Sequence, residues 1–255
     1  MRRRLVTALP VVLAGRSRAG MALGALAGAL APRAAAAGAA EFDAGFDLAF
    51  DGYYESRGDR TPLASARLRF APNDAAYRMS LEVSSLLADL FYESSGRLDG
   101  KGLHPEHYVE RRHLPFGRKR RREARYVPVA DGAQPGPAGE GTLAVPPGTQ
   151  DRISLIGQLW RLAGLPDGPF RQGRPIELAL ASTSKVRPVR LGVHPEAPLE
   201  IGGRAYRAWR VRRIDERDDD DLDIEVWFDA DGRALPLAIR FIEKGRALHF
   251  EAAAS

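Results

Sequence analysis

Over much of the chain apolar and polar residues alternate one for one. That spacing sends successive side chains to opposite faces of a pleated strand, whereas a helix needs an apolar stripe every three to four residues. Phe42, Ala44, Phe46, Leu48 and Phe50 alternate with Asp43, Gly45, Asp47, Ala49 and Asp51. Ala64, Ala66, Leu68 and Phe70 alternate with Ser65, Arg67 and Arg69; past a Pro72-Asn73-Asp74 turn, Tyr77, Met79, Leu81 and Val83 resume against Arg78, Ser80 and Glu82, which predicts a hairpin. Leu222, Ile224, Val226 and Phe228 oppose Asp223, Glu225 and Trp227. Asp229 to Gly232 turns this run into Leu235, Leu237, Ile239 and Phe241, and Lys244-Gly245 turns that into Leu248, Phe250 and Ala252, a three-stranded meander.

Ile176 to Ala181, Val186 to Val193, and a pair turning at Gly202-Gly203 with Tyr206, Trp209 and Val211 also read as strands. One segment differs. Asp151 can cap a helix in which Ile153, Ile156, Leu159 and Trp160 recur at helical spacing, ending at Gly164 before Pro166. Short strands joined by hairpin turns favour antiparallel pairing, because parallel pairs need crossover connections. The expected fold is all-β: an antiparallel barrel or strongly curved half-barrel of about ten strands with one short helix. Glu110 to Glu123 and Ala130 to Thr149 read as loops, the first basic and the second rich in Gly and Pro. Residues 41–255 are expected to form a single domain, since neither half has strands enough to close its own core.

The first forty residues are of another kind. They contain no acidic residue, open on a basic Met1 to Arg4, carry apolar runs at Leu5 to Ala14 and Met21 to Ala31, and end in small residues from Ala34 to Ala40. This is the pattern of a cleavable export signal, and neither run reaches the ~20 residues of a membrane-spanning helix. The expected location is therefore periplasmic. Those residues hold six Arg, so without them the formal net charge falls from +5 to −1. Overall basicity then gives no ground for a nucleic-acid partner. The chain has no cysteine, which excludes disulfides, thiolate metal sites, cysteine nucleophiles and N-terminal lipidation at Cys.

The least generic stretch is Ser94 to Tyr108, with Gly102, Leu103, Pro105 and Tyr108 in a Gly-Leu-x-Pro-x-x-Tyr pattern, followed by Arg111, Arg112, Arg118 to Arg122 and Tyr126. With Pro147 to Leu155 and Asp231 to Leu237, it resembles a bacterial exported-protein family catalogued as domain of unknown function 3108, over most of residues 42–252. The acidic run 215–223 departs from the family as an insertion in a hairpin. The resemblance implies a β-rich envelope protein, akin to periplasmic carriers of lipids or lipoproteins. It implies no catalytic residue.

Chemistry-bearing clusters are few. His104, His107 and His113 lie close in sequence but fit neither a helix-borne zinc pair nor a Cys/His module, so they read as loop histidines and no metal or cofactor is expected. The carboxylates from Asp215 to Glu225 lack the ordered spacing of a calcium loop and read as a solvated hairpin tip. No nucleophile elbow, Walker A or dinucleotide Gly pattern is present, which leaves a hydrolase assembled only by folding as an alternative. Arg118, Lys119, Arg120, Arg121 and Arg122 are candidates for contact with lipopolysaccharide, another anionic envelope surface or an envelope protein. Phe46, Phe50, Met79, Leu81, Trp209, Phe228 and Phe241 are candidates for lining an internal site for an apolar or lipid ligand, against the alternative that they fill the core. A non-catalytic envelope protein binding such a ligand is the leading expectation.

Overall fold

The computed structural model describes Phe42 and residues 44–56, 59–86, 88–114, 117, 119–130, 134–215, 223–243 and 246–253. The leader-like residues 1–40, Arg118, the Lys244-Gly245 turn and most of the acidic run lie outside the described residues. The first strands are β1 (Phe46–Ser56), β2 (Asp59–Asn73), β3 (Ala76–Ser85), β4 (Asp89–Asp99), β5 (Gly102–His113) and β6 (Arg120–Pro128). After the short β7 (Gly136–Gly139), β8 (Thr142–Val145) and β9 (Gln150–Asp151) come the helices α1 (Ser154–Ala163) and α2 (Pro169–Gln172). The chain ends in β10 (Ile176–Ala181), β11 (Val186–Ile201), β12 (Arg204–Arg213), β13 (Asp223–Asp229), β14 (Pro236–Glu243) and β15 (Arg246–Ala252).

The 15 strands of the described residues form one sheet, in the order β7-β8-β6-β5-β4-β3-β2-β1-β15-β14-β13-β12-β11-β10-β9. The expected all-β class is correct, but the expected barrel is not closed by a ladder and is not wholly antiparallel. β6 pairs with β8, and β9 with β10, in parallel. The strand count and the single helix are corrected as well. β7 to β9 are too short to show alternation, and β7 is made of Gly, Pro and Ala. Of the stretch expected as a basic loop, Glu110 to His113 belong to β5 and Arg120 to Glu123 to β6, where charges on both faces hide the period of two, while Leu114, Gly117 and Lys119 lie between the strands. The predicted hairpin is present in register, with Leu68 opposite Leu81 and Phe70 opposite Met79.

Side chains, instead of a ladder, bring the sheet's two ends together. From β9, the Gln150 amide donates to the Leu103 carbonyl of β5 at 2.9 Å, and Asp151 accepts from Ser94 of β4 at 2.5 Å. The Tyr126 hydroxyl of β6 donates to the Ser182 carbonyl beyond β10 at 3.2 Å. Helix α1 lies inside the curl. Asp151 starts it, as expected, by accepting from the backbone N–H groups of Ile153 and Ser154, both at 2.8 Å, while Ser154 Oγ accepts from the Asp151 N–H at 2.8 Å. This reciprocal box satisfies donors that a helix start otherwise leaves unpaired.

Because the sheet surrounds α1, burial extends beyond one stripe to Leu155, Gly157 and Ala163. A Cβ on Gly157 would stand 3.0 Å from Met79 Sδ and 3.1 Å from a Leu103 methyl, so a glycine there sets how closely the helix approaches β3 and β5. Trp160 packs edge-on against Phe46 and Phe70, with ring centroids 4.9 and 5.8 Å away, and against Phe42 at 5.0 Å. Among the described residues no helix is long and apolar enough to cross a membrane.

Candidate functional site

The seven candidate lining residues are brought together. Phe50, Met79, Leu81, Trp209, Phe228 and Phe241 are buried in one core cluster, and Phe46 packs against it. Helix side chains occupy the space they face. Phe170 of α2 meets Trp209 and Phe228 edge-on at 5.6 Å, Trp160 of α1 meets Phe46, and Gly157 meets Met79.

Three buried polar groups inside the curl form a chain. Tyr77 OH donates to Ser94 Oγ at 2.8 Å, and Ser94 donates onward to Asp151 Oδ2 at 2.5 Å. Burial pushes the Asp151 carboxyl up to about 6, against the lowering effect of the hydrogen bonds from Ser94, Ser154 and Ile153. Ser94 and Asp151 are both 0% exposed, so the pair serves as an internal tie and presents no nucleophile to solvent.

The outer face of the sheet carries ion pairs along β2 to β5, where Arg69 reaches Glu82 at 3.2 Å and Arg78 reaches Glu93 at 3.1 Å, and again further round. Around β12 to β15 its charges are paired. Glu55 accepts from Arg240 at 2.7 Å and contacts His249 at 2.9 Å, Arg210 reaches Glu225 at 2.9 Å, Arg60 reaches Glu251 at 2.7 Å, and Trp227 stacks on His249 with centroids 5.7 Å apart. Across β1 to β6 the outer face carries a row of direct cross-strand neighbours: Ala49, Arg67, Glu82, Phe91, Arg111 and Arg121. They share a face because they stand opposite one another, and it is the face away from the core because Leu68, Leu81 and Tyr92 beside them are the buried residues.

With Asp89, Arg112, His113, Lys119 and Arg120, this row lines a hollow of about 850 Å³ in which Phe91 supplies apolar surface on the outer face, while Ala66, Val83 and Leu90 turn toward the core. Some of its cations are neutralised. Arg67 makes two bonds to Asp47, at 2.6 and 2.7 Å, and Arg121 reaches Glu123 at 2.6 Å. These guanidinium groups hold the Asp47 and Glu123 carboxyls below their usual range. Arg111, Arg112, Lys119 and Arg120 have no carboxylate partner among the described residues. The Arg111 guanidinium lies 3.9 Å from the Phe91 ring centroid, a stacking that keeps its outer edge free for an anion.

Of the basic candidates, then, Lys119, Arg120 and Arg121 line the hollow, and Arg122 stands opposite Glu110, off the row. The histidines lie on strand β5 and in no loop, each facing its own carboxylate: His104 Nε2 is 2.9 Å from Asp99, His107 Nε2 3.9 Å from Glu123 and His113 Nδ1 3.9 Å from Asp89. Asp215 is held by Arg213 at 2.9 Å and by the Arg190 N–H at 3.2 Å. Phe91 escaped sequence reasoning, although Leu90, Phe91 and Tyr92 in a run that continues to Ser94 could have placed it on the face opposite Tyr92.

The three distinctive stretches of sequence converge on α1. Ser94, Gly102 and Leu103 come from the first, Gln150 and Asp151 from the second, and Arg233, whose carbonyl accepts from Trp160 Nε1 at 3.2 Å, from the third. At Gly102 the backbone has φ +131, and a Cβ would collide with the Gln158 amide that accepts from the Leu103 N–H at 3.0 Å. A family described as protein of unknown function, DUF3108, matches residues 49–246. The chain belongs to DUF3108. In this DUF3108 member the motif residues therefore hold a helix inside a curled sheet. No curated protein matches the chain. Among solved structures it is similar to a β-barrel-like protein of domain of unknown function DUF1849 from Brucella abortus, with 10% sequence identity and a TM-score of 0.46, over 82% of this chain and 95% of that one.

Proposed function

We propose that this DUF3108 protein is a non-catalytic binding module of the bacterial envelope that holds the anionic head of a lipid in the basic groove of β1 to β6. The observation that carries the reading is the set of four cations without carboxylate partners among the described residues, Arg111, Arg112, Lys119 and Arg120, that line one hollow together with Phe91. Guanidinium groups match phosphate oxygens in fork geometry, and an arginine already stacked on an aromatic ring loses little freedom when it binds. The leader-like residues 1–40 support an envelope location. The groove is favoured over the interior because a ligand among Phe50, Met79 and Phe228 would have to displace α1 or α2.

Cosedimentation of the protein, purified from its own host, with vesicles tests the reading. Binding is expected to vesicles of phosphatidylcholine mixed with phosphatidylglycerol, to weaken as salt rises, and to be lost in the double variant Arg111→Glu, Arg120→Glu. Equal binding to pure phosphatidylcholine vesicles, or none to either kind, overturns it.

A further inference from the structure

We infer that the head held in the groove is a phosphorylated saccharide, its phosphate among Arg111, Lys119 and Arg120 and its sugar hydroxyls along a row of oxygen-bearing side chains beside them. The inference rests on the lipid-head reading and adds the chemistry of the head. Asp51, Ser65, Ser84 and Asp89 are direct cross-strand neighbours on β1 to β4, and the row ends at His113 on β5. Each stands two residues along its strand from Ala49, Arg67, Glu82, Phe91 or Arg111, so the two rows lie side by side on the outer face. The oxygen row runs out of the basic hollow into a second, open hollow of about 640 Å³, which shares Ser65 and Ser84 with it. Its span from β1 to β5 is ~19 Å at the usual strand spacing, room for two sugar rings with a phosphate at one end.

Hydrogen bonding decides what can lie along the row. Asp51 and Ser65 have no side-chain hydrogen-bond or ion-pair partner among the described residues, and Glu251, which stands beside Asp51 on β15, is held by Arg60 at 2.7 Å. Asp89 accepts from the Ser84 hydroxyl through Oδ1 at 2.9 Å, while its Oδ2 lies 3.9 Å from His113 Nδ1. Ionised carboxylates only accept, so whatever covers Asp51 and Asp89 must donate, which turns away a hydrocarbon chain and a second phosphate alike. Serine hydroxyls both give and take, as sugar hydroxyls do, whereas an ammonium group could only give. Tyr53, Pro62 and Leu86 add carbon surface around Asp51 in the second hollow. A hollow that is half polar and half carbon suits a pyranose, whose edge carries hydroxyls and whose faces carry C–H groups. The four cations without carboxylate partners among the described residues stand at the β5 and β6 end, which sets the direction of the ligand.

Calorimetric titration with soluble probes tests the inference: inorganic phosphate, glycerol 3-phosphate, phosphoethanolamine, maltose and maltose 1-phosphate. Maltose 1-phosphate should bind about tenfold tighter than any of the others, or better, and should displace the protein from phosphatidylglycerol vesicles. Ser65→Trp, which blocks the row without altering charge, should erase that advantage and leave the binding of inorganic phosphate as in wild type. Arg111→Glu should weaken every phosphate-bearing probe. Ser65 is exposed on a strand that accepts a large ring there, so its replacement leaves folding intact, which the unfolding curve of the variant verifies. The inference falls, and the lipid-head reading stands, if vesicles bind but maltose 1-phosphate binds no tighter than the other probes or fails to displace them. If neither the probes nor the vesicles bind, both fall.

Discussion

Ser94 donates its hydroxyl hydrogen to Asp151 at 2.5 Å, across 57 residues of sequence, and accepts one from Tyr77. All three groups are buried, so each depends on the others for hydrogen bonding. Ser94→Ala strands the Tyr77 hydroxyl and one Asp151 oxygen. The expected cost is about 1–3 kcal/mol, read as a lower urea midpoint at unchanged slope. An unchanged midpoint would show that the tie carries no stability.

Asp151 gives the pH dependence an unusual sign. Its carboxyl rises from 3.8 in an exposed chain to about 6 when buried, so between those values the folded state binds more protons than the unfolded one. Its contribution to stability therefore falls as pH rises from 4 to 6, by on the order of 3 kcal/mol at most. Asp151→Asn keeps an acceptor for the helix N–H groups and removes the charge. Relative to wild type it should gain stability from pH 4 to 7, measured by urea unfolding at each pH; parallel profiles would refute the assignment.

Glu55 works in the opposite direction. Burial raises its carboxyl, but the hydrogen bonds from His249 and Arg240 outweigh that and leave it below the usual range. Its contribution is present above the ordinary glutamate range and is lost as pH falls through the lowered value. Glu55→Gln should thus reduce stability at neutral pH and have little effect in acid. A deficit that persists at pH 2 to 3 would point to packing instead of charge.

Trp160 fills the space between Phe42, Phe46 and Phe70 and donates to the Arg233 carbonyl. Trp160→Ala should destabilise by about 3–5 kcal/mol, with thermal unfolding as the measurement. A loss below 1 kcal/mol would mean that α1 is a loosely held insert.

Arg111 and Arg120 should behave differently, since neither holds a carboxylate among the described residues. Reversing both charges is expected to move the unfolding free energy by less than about 0.5 kcal/mol while abolishing binding to anionic vesicles. Destabilisation of several kcal/mol would make them structural residues and remove them from the groove's chemistry.

The sheet was readable wherever one face is greasy and the other polar, as in Leu68 and Phe70 against Arg67 and Arg69. It was unreadable at Arg120 to Glu123, where neither face of the strand is apolar, and at Gly136 to Gly139, where little side chain exists to alternate. Asp151 announced the helix because a capping carboxylate is a local signal. That the helix would occupy the very interior the strand residues were expected to line is a matter of how far the sheet curls. No spacing of residues encodes that, and neither does the meeting of Phe91 with Arg111, which depends on the register between β4 and β5.

The sheet's ends meet through Gln150, Asp151 and Tyr126 and, among the described residues, share no ladder. A ring of strands must keep a fixed stagger all the way round, so that adding or deleting one shifts every other. A roll fastened by three side-chain clasps is under no such rule. An outermost strand could be trimmed, lengthened or duplicated on such a scaffold while every remaining pair kept its partners, leaving the diameter of the roll free to vary between chains of the same design.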